Sequence, residues 1–153
     1  LKDKIDEKIA EGAQTKRHVK LGYGGIREIE FIVQTLQLEL GRKKVEARER
    51  NTLRTLRKLA RNGALSPEAR RRLSAAYLFL RDVENKLQMA HDLQTHLLPT
   101  EPAEFRRLAL RLGYRDGVGS PAPDQLTRDY RFHTETVHAL FQELFETPEG
   151  LRK

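Results

Sequence analysis

The chain has 153 residues, with 29 Lys and Arg against 22 Asp and Glu, for a formal charge of +7; this length fits one compact domain, or a domain carrying the edge of a neighbour. Hydrophobic residues make up 38% and charged residues 33%, enough for a core but in a mix that favours amphipathic helices over strands. The lack of cysteine excludes a disulfide framework, a thiolate zinc site and a catalytic thiol, and it fits a reducing compartment.

No apolar run approaches the roughly 18 residues that a membrane span needs, so no membrane partner is expected. The chain opens Leu1-Lys2-Asp3 with no signal-type segment, and it is therefore expected to be a piece of a longer polypeptide. The densest basic runs, Arg70-Arg71-Arg72 and Arg42-Lys43-Lys44, are not interleaved with aromatics and carry no zinc-finger or RNA-binding signature. They read as solvated helical faces, with no nucleic-acid partner expected.

In chain order, residues 2–11 predict a short helix with Ile5 and Ile9 on one face, ended by Gly12. Residues 15–25 hold Lys16, Arg17, His18, Lys20 and three glycines, a basic loop ending in a flexible turn. From Ile26 to Leu40 the apolar spacing is three-four-three-four, which predicts a helix closed by Gly41. A helix over about 48–61 buries Leu53, Leu56, Leu59 and Ala60 and stops at Asn62-Gly63. Ser66-Pro67-Glu68 is a helix start, because the Ser oxygen caps free amides and Pro in the first turn sacrifices no hydrogen bond. The next breaker is Pro99, so a helix of about 30 residues, roughly 45 Å long, is expected as the spine. A helix over 101–112 ends at Gly113, residues 113–123 form a glycine- and proline-rich loop expected to be mobile, and a final helix covers about 124–146. The fold class is all-α, an antiparallel bundle of five to six helices with one long central helix.

Two places carry candidate chemistry. On the 26–40 helix, Arg27, Glu30, Gln34 and Gln37 lie between an arc of Ile26, Ile29, Ile32, Val33, Leu36 and Leu40 and a second arc of Phe31 and Leu38. A polar stripe flanked by apolar residues on both sides must pair or coordinate something if covered. An Arg27 to Glu30 pair is the structural reading. On the long helix Glu84 and His91 enter an otherwise apolar arc, so the polar cluster Glu30, Gln34, Glu84, Gln88 and His91 is expected to meet across the bundle. The second place is Lys20-Leu21-Gly22-Tyr23-Gly24-Gly25 running into Arg27. Free amides at a helix start, glycines that permit close approach and two cations suit a phosphate, with Lys20, Gly22, Gly24, Gly25 and Arg27 as the candidate residues. Against this, Glu28 and Glu30 already complement the helix dipole, and the spacing matches neither the P-loop nor the dinucleotide pattern. The pairs His91/His96 and His133/His138 are five apart, which puts neither pair on one helical face, so no metal site is expected.

The run Lys20-Leu21-Gly22-Tyr23-Gly24-Gly25-Ile26-Arg27-Glu28-Ile29-Glu30-Phe31-Ile32-Val33-Gln34 resembles the signature segment of the glutamine synthetase adenylyltransferases. A second match follows in Tyr77-Leu78-Phe79-Leu80-Arg81-Asp82-Val83-Glu84-Asn85-Lys86-Leu87-Gln88-Met89 with Asp92-Leu93-Gln94-Thr95-His96-Leu97-Leu98-Pro99. The resemblance implies a two-headed cytoplasmic regulator of nitrogen assimilation, in which one nucleotidyltransferase head adds AMP to a tyrosine of glutamine synthetase and the other removes it by phosphorolysis. It also implies control by the PII signalling protein and glutamine, with magnesium and ATP or phosphate as cofactors of the full-length enzyme. Each head is followed by a helical domain, which the uridylyltransferases of PII also possess. Gly-Gly-Ile-Arg-Glu-Ile-Glu-Phe is more similar to the segment behind the AMP-removing head.

The family's catalytic domain carries a Gly-Ser sequence followed by a metal-binding Asp-x-Asp pair, and neither arrangement occurs here, where Asp3, Asp6 and Asp82 lie in unrelated contexts. Nucleotidyl transfer needs metal to neutralise phosphate charge, so no catalytic residue and no cofactor are expected in this chain alone. Residues 1–15 are expected to be the tail of a missing nucleotidyltransferase domain or its connection, and residues 16–153 the helical domain. The competing reading is a basic helical scaffold or nucleic-acid-binding module without catalytic role.

Overall fold

A computed structural model describes residues 16–40, 52–91 and 96–145. The helix expected over 2–11 and the proposed boundary at residue 15 lie outside the described residues. Five helices are present among the described residues: α1 (Ile26–Glu39), α2 (Thr52–Arg61), α3 (Pro67–His91), α4 (Pro102–Arg111) and α5 (Ala122–Phe145). The all-α expectation holds, with only two isolated bridges, at His18 with Leu97 and at Gly117 with Ser120.

Local signals set the helix ends. Ser66 Oγ accepts the Ala69 amide at 3.0 Å, the cap expected of Ser-Pro-Glu, and Glu68 pairs with Arg72 one turn on at 2.7 Å. Gly63 closes α2 with φ +77°; its amide reaches Ala60 O and the next amide reaches Leu59 O, the two bonds of a Schellman turn, whose left-handed position glycine occupies without strain. The same pair of bonds recurs at the end of α4, from Gly113 to Leu110 O and from Tyr114 to Ala109 O.

Helix α3 touches each of the other four helices and is the spine that its length predicts. Leu73, Ala76, Leu80 and Val83 are wholly buried along it, spaced three, four and three apart, which is one helical face. Ile26, Ile29 and Ile32 of α1, Leu56 and Leu59 of α2, Ala109 of α4 and Leu126 and Val137 of α5 complete the core.

The spine is shorter than expected. It runs to His91, about 37 Å, and residues 96–98 are extended rather than helical. The reason is a backbone pairing that no local pattern announces: the Val19 amide donates to His96 O at 2.8 Å and the Leu98 amide to Arg17 O at 2.9 Å. Arg17 Nε adds a bond to Leu98 O.

The connection over 113–121 is also more organised than its composition suggests. Asp116 accepts both arms of the Arg106 guanidinium, at 3.0 and 2.6 Å, and the Ala122 amide at 2.9 Å, which caps α5. The Arg106 hydrogen bond, followed by the Ala122 amide, holds the Asp116 carboxyl well below the usual carboxylate range. Gln125 Nε2 donates to Arg115 O and Ser120 O, and Tyr114 donates to Asp129 across the loop at 2.6 Å.

Leu80→Ala should destabilise the domain by about 2–5 kcal/mol, because the side chain is 0% exposed. Its neighbour Leu78, 57% exposed, should tolerate the same change within about 0.5 kcal/mol. Urea unfolding of the two variants checks the assignment of the buried face, and equal costs would refute it.

Candidate functional site

The loop over 16–25 is built from its own backbone. After the bridge to residues 96–98, the Gly22 amide returns to His18 O at 2.8 Å and the Gly25 amide to Gly22 O at 3.0 Å. The first helical amides then point back into the loop, Ile26 to Val19 O at 3.1 Å and Arg27 to Lys20 O at 2.9 Å. Three amides that a helix start normally leaves open are thus already bonded. The expectation of an open amide nest for phosphate is corrected by this geometry.

An internal carboxylate occupies the place an anion would take. Glu28 Oε2 accepts the Gly24 amide at 2.8 Å, and Glu28 Oε1 lies 3.0 Å from His138 Nδ1 on α5. A carboxylate only accepts, so His138 Nδ1 is the donor. The imidazole also stacks on Tyr23, with ring centroids 3.7 Å apart. Glu28, at the third helical position, reaches back to an amide in the manner of a capping box displaced by one residue.

The glycines have structural reasons. Gly24 has φ +65° and lies against α5 so closely that a Cβ would land on the carbonyl oxygen of Thr134 and 2.6 Å from its Cα. At Gly25 a Cβ would meet Val19 O at 2.6 Å and Lys20 O at 2.9 Å. Thr134 turns its hydroxyl back to Tyr130 O at 2.9 Å, which leaves its backbone bare for this approach. Gly22 is buried in the same turn.

Of the five candidate phosphate residues, Lys20 and Arg27 remain as side-chain cations at the loop rim. Arg27 is exposed and Lys20 half-buried, and neither forms an ion pair among the described residues. The Arg27 to Glu30 pair is therefore not made, since Arg27 faces solvent.

Among the described residues the polar groups of α1 and α3 make no hydrogen bond or ion pair with one another. Glu84, 7% exposed, is held instead by Arg81 Nη1 at 3.0 Å and lies 3.2 Å from His96 Nδ1. That His96 nitrogen is buried and off the line of a true hydrogen bond. No hydrogen bond joins Glu30 or Gln34 to Glu84 or Gln88 among the described residues, and Glu30, Gln34 and Gln88 are only partly buried. The His91 side chain lies outside the described residues. Partial cover of the stripe does occur, because Phe31 meets Phe145 edge-on at 5.2 Å and Phe141 at 6.1 Å.

Spacing alone gives His96, His133 and His138 no role, yet each has a distinct neighbour, and so does His18 of the loop. His18 stacks on His96 with centroids 5.5 Å apart, and its Nδ1 accepts the Leu21 amide at 2.9 Å, which fixes the proton of the neutral ring on Nε2. Burial first, then the His96 and Lys20 charges, push the His18 pKa below its ordinary value. Burial does the same to His133 against Phe79.

These features define an all-α domain that presents a glycine-dependent loop with the unpaired cations Lys20 and Arg27 beside the start of α1. The family model described as GlnD PII-uridylyltransferase matches residues 1–145, and the chain belongs to that family. Among curated relatives, the bifunctional glutamine synthetase adenylyltransferase/adenylyl-removing enzyme of Rhizobium meliloti is 46% identical over 129 residues, 84% of this chain and 12% of that protein. Its namesake in Xanthomonas campestris pv. campestris is 48% identical over 114 residues, 71% of the chain and 12% of the relative. That of Nitrosococcus oceani is 42% identical over 133 residues, 87% and 13%. The chain thus spans about one-eighth of the length of the curated relatives it matches.

Two outcomes follow from the loop. Gly24→Ala should cost about 2–4 kcal/mol, combining left-handed strain with a backbone clash, whereas Gly119→Ala, at φ +69° with nothing within 4 Å of its Cβ, should cost only about 1 kcal/mol. Comparable losses in urea unfolding would remove the packing role of Gly24. The second outcome concerns pH. A histidine whose folded pKa is depressed binds its proton more readily when unfolded, so its contribution is complete above the unfolded value near 6.5 and is lost as pH falls from there towards the lowered folded value. Stability should decline over that interval, and His18→Asn, which keeps an acceptor for the Leu21 amide, should flatten the decline in urea midpoints; an unchanged slope would refute this.

Proposed function

We propose that this chain is the helical domain of a longer bifunctional enzyme that adds AMP to glutamine synthetase and removes it, and that it backs the AMP-removing nucleotidyltransferase head. The observation that carries this reading is the 46% identity over 84% of the chain to a relative bearing that name. Within the domain, Lys20 and Arg27 border the neighbouring head's active site and hold phosphate-bearing substrate through their side chains, while Gly22, Gly24 and Gly25 set the backbone that carries them. Two cations on a loop fixed at both ends can hold a phosphate through charge-assisted hydrogen bonds, with only the side chains, not the backbone, left to order.

Magnesium, with ATP or phosphate, belongs to the neighbouring head. Among the described residues no cluster of three or more His, Asp or Glu is placed to hold a metal ion, so the donor set here does not fit magnesium, whereas Lys20 and Arg27 fit a phosphate. The neighbouring heads of the same polypeptide, glutamine synthetase and the PII signalling protein are the proposed partners, in the cytoplasm. No described helix is long and apolar enough to cross a membrane.

Arg27→Ala and Lys20→Ala in the full-length enzyme should each slow AMP removal at least about tenfold, equivalent to about 1.4 kcal/mol in the barrier, with melting temperature unchanged. Arg27 is exposed and Lys20 only partly buried, and neither forms an ion pair among the described residues, so folding is expected to survive. Loss of activity only in proportion to loss of folded protein would reduce the loop to a structural element.

A further inference from the structure

Along most of the bundle, helical cations have acidic neighbours on the same or an adjoining turn. Arg72 pairs with Glu68, Arg81 with Glu84, Lys86 with Asp82, Arg107 with Glu104 and Arg131 with Glu135. Helix α2 departs from this pattern. Its sequence contains Arg54, Arg57, Lys58 and Arg61 and no acidic residue. All four are exposed, and none forms an ion pair among the described residues.

Their spacing of three, one and three places them on one helical stripe, about 10 Å long, opposite the face that buries Leu56 and Leu59. The arrangement is unfavourable for the isolated domain. Like charges at i,i+3 and i,i+4 repel, and Arg54 in the first turn opposes the helix dipole, where α1, α3, α4 and α5 each place an acid. Lys58 and Arg61, in the last turn, offset only part of this.

We infer that the cationic stripe of α2 is a docking surface for an acidic face of a folded protein, and that this protein is the enzyme's own substrate, glutamine synthetase. The inference rests on the function proposed above, since that reaction requires one folded protein to recognise another. Three of the four cations are arginines, whose planar forks match carboxylates in pairs. The helix carries no aromatic, Asn or Gln, so it offers a nucleic acid charge and guanine-reading arginines but no stacking platform and no adenine-reading amide. A charged rim of this kind governs encounter and salt dependence without entering the chemistry.

The test uses the full-length enzyme and two variants, one with Arg54, Arg57, Lys58 and Arg61 all changed to Gln and one with all four changed to Glu. AMP removal is measured with intact adenylylated glutamine synthetase and with a short adenylylated tyrosine peptide. The expected result is a rise in KM for the intact protein, about threefold or more for Gln and tenfold or more for Glu, with kcat and the peptide reaction unchanged. The unaltered enzyme should show KM rising between 0.05 and 0.3 M salt, roughly the range over which the Debye length shrinks below the stripe's length, and the variants should lose most of that dependence. The Gln variant should melt at the same or a higher temperature, because repulsion along the stripe is removed. Unchanged KM in both variants overturns the inference while leaving the proposed function intact. Equal losses on protein and peptide overturn it by making α2 part of the active-site support. Salt-dependent binding of the unaltered enzyme to a 20-base-pair DNA duplex, abolished in the Glu variant with KM unchanged, replaces the protein partner with nucleic acid. An unaltered enzyme with no activity on either substrate removes the function on which the inference rests.

Discussion

The arrangement depends on one contact between two backbones, the approach of Gly24 to Thr134. It leaves no room for a Cβ and brings the first turn of α1 against the middle of α5. Once the two are that close, Glu28 can bridge the Gly24 amide and His138, and Tyr23 can lie on the imidazole. The other end of the loop is held by the pairing of residues 17–19 with 96–98. The loop is consequently fixed from α5 and from the segment after α3, while α1 itself is fixed by its buried isoleucines.

This clamp changes what the glycine-rich segment can do. A helix start with open amides binds anions through its backbone, but here the loop carbonyls consume those amides and Glu28 answers the dipole. Any anion held at the loop must be held by side chains, and Lys20 and Arg27 are the cations at that rim. The glycines matter here because they allow the close backbone approach to α5 that positions the loop.

Elements whose signals are local were legible in the sequence. Ser66-Pro67-Glu68, the Asn62-Gly63 stop and the isoleucine spacing of α1 each carry their cause within a few residues, and the structure places each helix end within a few positions of that reading. Partners distant in sequence were not legible. Glu28 and His138 are 110 positions apart, and the pairing of residues 17–19 with 96–98 spans about half the chain, so local pattern extends the long helix over residues 96–98, which are not helical. The histidines were judged by their spacing to one another, a test for shared metal, when their partners are a carboxylate, a phenyl ring and another imidazole on separate elements. The polar cluster was inferred from the premise that polar residues beside apolar arcs must be buried. Glu30, Gln34 and Gln88 remain partly exposed, and only Glu84 meets the premise, held by Arg81.

Net charge shows the same distinction between runs and faces. Counting consecutive basic residues draws attention to Arg70-Arg71-Arg72, yet Arg72 is neutralised by Glu68 one turn back. Four of the seven net positive charges come from α2 alone, where they are never more than two in a row and become a stripe only at helical spacing. Their mutual repulsion is tolerated because the opposite face of α2 is anchored by Leu56 and Leu59, which are almost fully buried, and burial of each such side chain contributes about 1.5–3 kcal/mol, several times the few tenths of a kcal/mol of each like-charge pair. The core therefore allows α2 to keep an electrostatically unfavourable surface, and the excess charge of the domain is concentrated on one short helix rather than spread over the bundle.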